Sequence, residues 1–186
     1  MVKVHDSLMD KSKKNRRNEW VLTSVAAFLA ALVVLVVYLS TFVLFVVRVS
    51  GSSMYPTLTS GQNVICNCKA EPKVGDIVVI RDERADAFII KRVIALEGQT
   101  VEIKGGDVYV DGQKLIEPYT NGNTWDYDGN WSNRTVRKGE IFYLGDNRIN
   151  SKDSRFSEYD TCSVKQIVGV VPDWAVNAAG ITSVLL

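Results

Sequence analysis

The stretch AFIIKRVIALEGQTVEIKGGDVYV, residues 87–110, carries the clearest β-strand pattern of the sequence. Its first part is rich in Ile, Val and Phe, the residues that favour strands. The runs 99–104 and 107–112 alternate apolar and polar residues, and only two glycines, at 105 and 106, separate them. Alternation with a short Gly-Gly turn predicts a β-hairpin. The whole stretch therefore predicts antiparallel β-structure.

Neighbouring segments extend this pattern. The runs 76–82 and 140–146 are also rich in Val, Ile, Phe and Tyr, and Gly-containing turns separate the runs. No long amphipathic helix pattern follows residue 47, and the polar, turn-rich stretch 120–133 predicts a surface loop. We predict a mostly β fold, in which residues 48–186 form a compact antiparallel β-sheet domain long enough to bury a hydrophobic core.

An apolar run over residues 20–47 precedes this domain and contains no Asp, Glu, Lys, Arg or His. A helix needs about 20 apolar residues to cross a bilayer, so this run predicts one N-terminal transmembrane helix that acts as a signal anchor. A cleaved secretory signal is the competing interpretation. The apolar region of such a signal is normally about 7–15 residues long, which is shorter than this run.

The charges on either side of the run predict its orientation. Residues 1–19 form a basic tail, whereas Arg48 is the only base between the run and Lys69. The bases of the tail are Lys3, Lys11, Lys13, Lys14, Arg16 and Arg17. The positive-inside rule then predicts a single-pass protein of the plasma membrane, with a cytoplasmic tail and residues 48–186 outside the cytoplasm. No basic patch lies elsewhere, so we expect no nucleic-acid partner.

The histidine and cysteine content limits the chemistry. His5 is the only histidine and lies in the tail, which excludes a Ser-His-Asp hydrolase in the outer domain. Cys66, Cys68 and Cys162 with one remote histidine make no recognisable ligand set, so we expect no metal ion. We interpret the cysteines as buried or half-buried thiols, and a bridge to Cys162 stays open.

A serine nucleophile in this chain would therefore need a lysine, a carboxylate or the α-amine as its base. The α-amine is expected on the cytoplasmic side, and Lys91 is the most unusual of the lysines. Strand alternation places Lys91 on one face with Ile89 and Val93, which otherwise resembles core. Burial would lower the pKa of the ammonium and leave a neutral amine able to accept a proton. The alternatives are a lysine that reaches solvent at the sheet edge or one that pairs with an acid.

Three segments together carry a family resemblance. SGSSMYPTL (50–58), FIIKRVIALEG (88–98) and GDNRINSKDSR (145–155) resemble, in order and spacing, the conserved boxes of type I signal peptidases. These are membrane-anchored Ser-Lys proteases that remove signal peptides from exported preproteins. The resemblance implies a serine endopeptidase that acts on preprotein signal peptides at the lipid surface, without a cofactor, and prefers small residues at positions −1 and −3.

The first two boxes imply the reacting groups. Ser53 matches the nucleophile, Lys91 matches the general base, and the Ser53 backbone N–H is expected to donate to the oxyanion. Gly51, Met54 and Pro56 belong to the turn that carries the nucleophile and binds the substrate. Some members have a hydroxyl two residues before the nucleophile, whereas this chain has Gly51 there.

The third box implies supporting residues. Ser151 matches the serine that hydrogen-bonds the lysine, Asp153 and Arg155 match an ion pair, and Asp146 is expected to hold Arg92. The segment before the cleavage site is expected to add as a strand along residues 49–53 and 84–90. A catalytically inert membrane-anchored β-domain, acting as a binding or assembly module, is the alternative function.

Overall fold

The structure is a computed structural model that describes residues 2–84 and 86–176. It divides into two units, with the boundary after Val43. The first is the helix α1, Val2–Phe42. Its segment Asn18–Leu39 has a mean hydropathy of 2.7, and the helix is long and apolar enough to cross a membrane. This helix is compatible with the predicted anchor.

The predicted span of 20–47 extends too far toward the β-rich unit. Leu44–Arg48 form strand β1, which pairs antiparallel with β2, Asn63–Asn67. Residues 44–47 are β-branched, aromatic or leucine, and such residues suit a pleated sheet as well as a bilayer. Hydropathy therefore could not separate the end of the helix from the first strand.

The described part of the β-rich unit consists of strands, loops, one short 3-10 helix and a helical segment at residues 173–176. The remaining elements are β3 (Ile77–Asp82), β4 (Ala87–Leu96), β5 (Thr100–Lys104), β6 (Asp107–Val110), β7 (Gln113–Lys114), β8 (Ser132–Thr135), β9 (Glu140–Leu144), β10 (Cys162–Ser163), the 3-10 helix Val164–Gln166 and β11 (Ile167–Val171). The large sheet has the order β1-β2-β11-β3-β4-β9-β10, and the small sheet has the order β7-β6-β5-β8.

The predicted mostly β, antiparallel architecture is confirmed. Strands β5 and β6 form the predicted hairpin, with Val101 opposite Val110 and Lys104 opposite Asp107. The turn residues Gly105 and Gly106 have φ values of 63° and 92°. A two-residue turn with positive φ at both positions requires glycine-like freedom, which explains the Gly-Gly pair.

The prediction of a surface loop over 120–133 is wrong for part of that segment. Trp131 is buried, packs on Phe142 with ring centroids 4.2 Å apart, and donates its indole N–H to the Ser154 carbonyl at 2.7 Å. Thr124 is also buried, and β8 begins at Ser132. Trp131 stands between the polar residues Asn130 and Ser132, so the local pattern gave no sign of its burial.

Strand β4 lies at the centre of the molecule's packing. It pairs with β3 on one side and β9 on the other. Ile90, Ile94 and Val93 each belong to a different buried apolar cluster. Residues 90–95 of β4 are all buried, including its two charged residues, whereas Ala87 and Phe88 at its start are exposed. The central position of β4 therefore buries two charged side chains, those of Lys91 and Arg92.

Two of the cysteines are buried thiols. Cys66 lies in the cluster of β2, and Cys162 lies near Tyr143. Burial raises the pKa of each thiol to about 12, so both stay protonated at neutral pH. Cys68 follows the end of β2 and is exposed. The interpretation of buried thiols therefore holds for two of the three cysteines.

Candidate active site

The serine-rich turn lies in the loop between β1 and β2. Gly51 has a φ of 84°, in the left-handed region that glycine favours, and starts the turn. Met54 and Leu58 are buried in the apolar cluster beneath the loop and anchor it. Met54 is therefore a core residue of the turn, whereas Pro56 is exposed. Ser53, directly before Met54, is half-buried and lines a cleft.

Lys91 reaches this serine from strand β4. It stands opposite Val78 in the β3–β4 pairing and is only 4% exposed, on the face that the alternation predicted. Its Nζ atom lies 2.8 Å from Ser53 Oγ, within hydrogen-bond distance. The sheet therefore joins two residues that are 38 positions apart in the chain.

Burial determines the protonation of this lysine. Loss of solvent lowers the pKa of the Lys91 ammonium to about 8, because a charge is poorly stabilised in the interior. The carboxylates of Asp153 and Asp146 oppose this shift, whereas the Arg155 guanidinium reinforces it. At mildly alkaline pH a large fraction of Lys91 is thus a neutral amine beside a serine hydroxyl.

The predicted pair of Asp153 and Arg155 forms in the interior, and both residues are fully buried. Arg155 Nε lies 2.7 Å from Asp153 Oδ1, and Nη2 lies 2.9 Å from Oδ2. Asp153 Oδ2 also accepts the Gly145 N–H at 3.0 Å, and Arg155 Nη1 donates to the Arg148 carbonyl at 2.7 Å. The pair therefore ties both ends of the loop 145–155 together.

A second buried pair links the nucleophile turn to β4. Arg92 donates from Nε and Nη2 to the two carboxylate oxygens of Asp146, at 2.8 and 2.6 Å. Thr57 donates its hydroxyl to the same carboxylate. The Tyr119 ring stacks on the guanidinium, with 3.9 Å between Arg92 Cζ and the ring centroid. Sequence reasoning predicted the ion pair but missed Thr57 and Tyr119.

Ser151 does not make the hydrogen bond that was predicted for it. Its Oγ atom is buried and has no hydrogen-bond partner within the described residues. The residue lines the cleft that also contains Ser53 and Lys91. Its role beside the lysine stays a prediction.

Gly145 is a site residue that sequence reasoning missed. A Cβ atom at this position would lie 2.2 Å from Ser151 Oγ and 2.5 Å from the Ser53 carbonyl oxygen. The nucleophile turn can therefore approach the loop after β9 only because residue 145 has no side chain. A glycine that directly follows a buried strand and precedes a charged loop was the available signal.

The reacting pair opens into a cleft of about 460 Å³. Its lining includes Gly51, Ser53, Asp82, Ile89, Lys91 and Tyr159. The Lys91 amine and the Ser53 hydroxyl therefore belong to the same cleft. A hydroxyl next to a buried amine of lowered pKa is an arrangement suited to nucleophilic attack on a carbonyl group.

Comparisons with known proteins agree on one family. Residues 17–175 match the family model described as "Signal peptidase, peptidase S26". The chain is 38% identical over 156 residues to signal peptidase I T of Bacillus subtilis strain 168, an alignment that covers 78% of each chain.

Two further matches come from other bacteria. Signal peptidase IB of Staphylococcus aureus strain COL is 32% identical over 172 residues, which cover 82% of this chain and 86% of that protein. A crystal structure of a signal peptidase I from Enterococcus faecalis V583 is 29% identical and aligns with a TM-score of 0.46, over 55% of this chain and 98% of the other.

Proposed function

The chain belongs to the S26 family of signal peptidases, and on this premise we propose that it removes the N-terminal signal peptides of exported preproteins by a Ser-Lys mechanism. The observation that carries the proposal is the 2.8 Å contact of Lys91 Nζ with Ser53 Oγ inside the cleft. A Ser-Lys pair needs no histidine, in keeping with a sequence whose only histidine is His5.

Acylation would use the neutral form of Lys91. Ser53 Oγ attacks the carbonyl carbon of the scissile bond while Lys91 Nζ takes the hydroxyl proton. The Ser53 N–H donates to the negative oxygen of the tetrahedral intermediate. The C–N bond then breaks, and the Lys91 ammonium gives its proton to the leaving amine. The signal peptide stays bound to Ser53 as an ester.

Deacylation would repeat these steps with water. The neutral Lys91 amine takes a proton from a water molecule, which attacks the ester carbonyl carbon. The C–O bond to Ser53 breaks, and the proton returns from Lys91 to Ser53 Oγ. The signal peptide leaves as a carboxylic acid, and both groups return to their starting forms.

Strand β4 supplies an edge where the substrate could bind. It pairs with β3 along Ile77–Asp82, but its pairing with β9 begins only at Arg92. In the described structure, residues 87–91 have no β9 partner, so their outward backbone groups could pair with an extended peptide. Side chains −1 and −3 of a strand share one face, so both would point to the same wall. A wall that includes Ile89 would favour small residues at these two positions.

The helix α1 would anchor the enzyme with its basic N-terminal tail in the cytoplasm and the β-rich unit outside. Ser53 follows the end of the helix by about ten residues, which would keep the reaction near the lipid surface where a signal peptide is inserted. Protease added to right-side-out membrane vesicles is expected to degrade the β-rich unit. If the β-rich unit resists the protease in sealed vesicles and is degraded only after detergent is added, this orientation is wrong.

The pH dependence of cleavage tests the mechanism. Only the neutral amine of Lys91 can take a proton, so kcat/KM is expected to rise about tenfold per pH unit below pH 8 and to level off above it. Since kcat/KM reports the free enzyme, the inflection should lie near the pKa of about 8 that burial gives to Lys91. The measurement is cleavage of a preprotein with an Ala-x-Ala site by the full chain in detergent.

Other ionisable groups near the cleft require a control. Asp82, Lys152 and Tyr159 line it, and Asp146, Asp153 and Arg155 act on the Lys91 charge. A Lys152→Met variant should keep the inflection near pH 8 if Lys91 is the titrating base. An inflection near the usual lysine value of about 10.4, or activity that falls as pH rises from 6 to 8, would contradict the proposed role of Lys91.

A further inference from the structure

We infer that Asn147 is a positioning residue that locks the peptide group between Ser52 and Ser53, so that the Ser53 N–H points away from Asn147, toward the cleft. The inference rests on the proposed function, because it concerns the oxyanion donor of that reaction. It gives Asn147 a role distinct from those of the groups that exchange protons.

The structure places Asn147 against two consecutive carbonyl groups of the nucleophile turn. Its side-chain Nδ2 donates to the Ser52 carbonyl oxygen at 2.9 Å, and its backbone N–H donates to the Ser53 carbonyl oxygen at 3.0 Å. The two partners of Asn147 are about 95 residues away in the chain, and Asn147 itself is only 6% exposed. One residue therefore holds the peptide groups on both sides of the nucleophile.

Because of peptide geometry, the contact between Asn147 and the Ser52 carbonyl also sets the direction of the Ser53 N–H. The Ser52 carbonyl and the Ser53 N–H belong to one planar trans peptide group, in which they point in opposite directions. When Asn147 holds the carbonyl oxygen on its side, the Ser53 N–H must point to the other side. Within the described chain, the Ser53 N–H donates to no group, so it is available to a substrate oxygen.

The amide orientation of Asn147 follows from its partners. A carbonyl oxygen only accepts hydrogen bonds, so the side of the amide that faces Ser52 must be the NH₂ group. The other side, Oδ1, accepts from Asn121 Nδ2 at 3.1 Å. Asn121 is fixed in turn, because its N–H donates to the Asp146 carbonyl at 2.8 Å and its carbonyl accepts the Arg148 N–H at 2.9 Å.

Rotation of this peptide group would remove the donor. A flipped Ser52–Ser53 peptide would direct the Ser52 carbonyl oxygen toward the developing oxyanion and turn the Ser53 N–H away from it. Gly51 has no side chain, so it provides no hydroxyl as a second donor. Losing one oxyanion donor typically costs about 10²–10³-fold in rate.

The test uses the full chain in detergent with two substrates, an Ala-x-Ala peptide ester and its thiono ester, in which sulfur replaces the carbonyl oxygen. Sulfur accepts hydrogen bonds weakly, so an enzyme that depends on the Ser53 N–H favours the oxygen ester strongly. Asn147→Ala is expected to lower kcat for the oxygen ester by about 10²-fold with KM nearly unchanged, and to reduce the ratio of oxygen-ester to thiono-ester kcat/KM by at least tenfold. The pH inflection should stay near 8, because Lys91 keeps its surroundings.

Matched variants separate this role from a structural one. Asn150 lies on the same loop and donates to the Ser52 side-chain Oγ at 2.9 Å, and not to a carbonyl group. Asn150→Ala should therefore keep the wild-type substrate ratio, whatever its effect on rate. Asn147→Asp keeps the shape of the side chain without its donor, so it should behave like Asn147→Ala even if the alanine variant folds poorly.

Two outcomes would overturn the inference. A wild-type substrate ratio in folded Asn147→Ala or Asn147→Asp would mean that the peptide group does not depend on Asn147. An equal loss of ratio in Asn150→Ala would mean that any loosening of the loop has this effect. If the wild-type chain cleaves neither ester nor preprotein, the proposed function fails first and the inference fails with it.

Discussion

Replacing Ser53 or Lys91 by alanine is expected to abolish preprotein cleavage, with kcat reduced by roughly 10⁴–10⁶-fold. The two residues act on the same proton, so removing either one stops the same step. The double variant should therefore be no less active than the single variants, because losses within a catalytic unit are not additive. Cleavage of an Ala-x-Ala preprotein by the full chain in detergent measures all three.

Lysine-to-arginine exchange sharpens this expectation. Lys91→Arg should be as inactive as Lys91→Ala, because a guanidinium stays protonated at the pH of the assay and cannot act as a base. The exposed residues Lys104 and Ser132 provide matched controls, and Lys104→Ala and Ser132→Ala should cleave like wild type. If Ser53→Ala and Lys91→Ala also cleave like wild type, the Ser-Lys mechanism is wrong, and the family fold here would serve as an inert binding module.

Substitution of Gly145 by alanine is expected to have the next largest effect. The new Cβ would lie 2.5 Å from the Ser53 carbonyl oxygen, which is a backbone atom and cannot rotate away. The nucleophile turn must then move relative to Lys91, and a displacement of about 1 Å typically costs about 10²-fold in rate. We expect kcat to fall by that amount, and the free energy of unfolding to fall by about 1–3 kcal/mol because of overpacking.

A second glycine separates crowding from backbone strain. Gly129 has a φ of 69° and open space around its Cβ position, so Gly129→Ala creates strain without a clash. This control should lower stability by about 1 kcal/mol and leave kcat unchanged. Steady-state kinetics below the unfolding temperature and thermal unfolding measure the two effects. A folded Gly145→Ala enzyme with wild-type kcat would show that the close approach at residue 145 is not needed.

Periodicity predicted the parts of the fold that depend on neighbours in the chain. The hairpin of β5 and β6 follows from alternation and a Gly-Gly turn, and the structure has it in the expected register. The pair of Asp153 and Arg155 was implied by the family resemblance, and it forms within one loop between residues two positions apart. Segments without periodicity were misjudged, as the burial of Trp131 shows.

The boundary at the end of α1 shows a limit of hydropathy. Residues 44–47 are apolar, and only their pairing with β2 distinguishes a strand from the end of a spanning helix. Backbone hydrogen bonds that join residues far apart in the chain carry no signal in local composition. Residues 44–47 are apolar as the prediction required, but their pairing with β2 places them in a strand and not in the helix.

From the sequence came the candidate nucleophile and base: the only histidine, His5, lies in the tail, and the resemblance of three segments to type I signal peptidases singled out Ser53 and Lys91. How these two residues meet depends on the tertiary structure. It brings Lys91 within 2.8 Å of Ser53, lowers the pKa of Lys91 by burial, leaves Ser151 Oγ without a partner in the described chain, and sets Asn147 against Ser52. The physical reason is that distance, burial and hydrogen bonding arise from the register of the sheets and the packing of loops, which couple residues 38 and 95 positions apart.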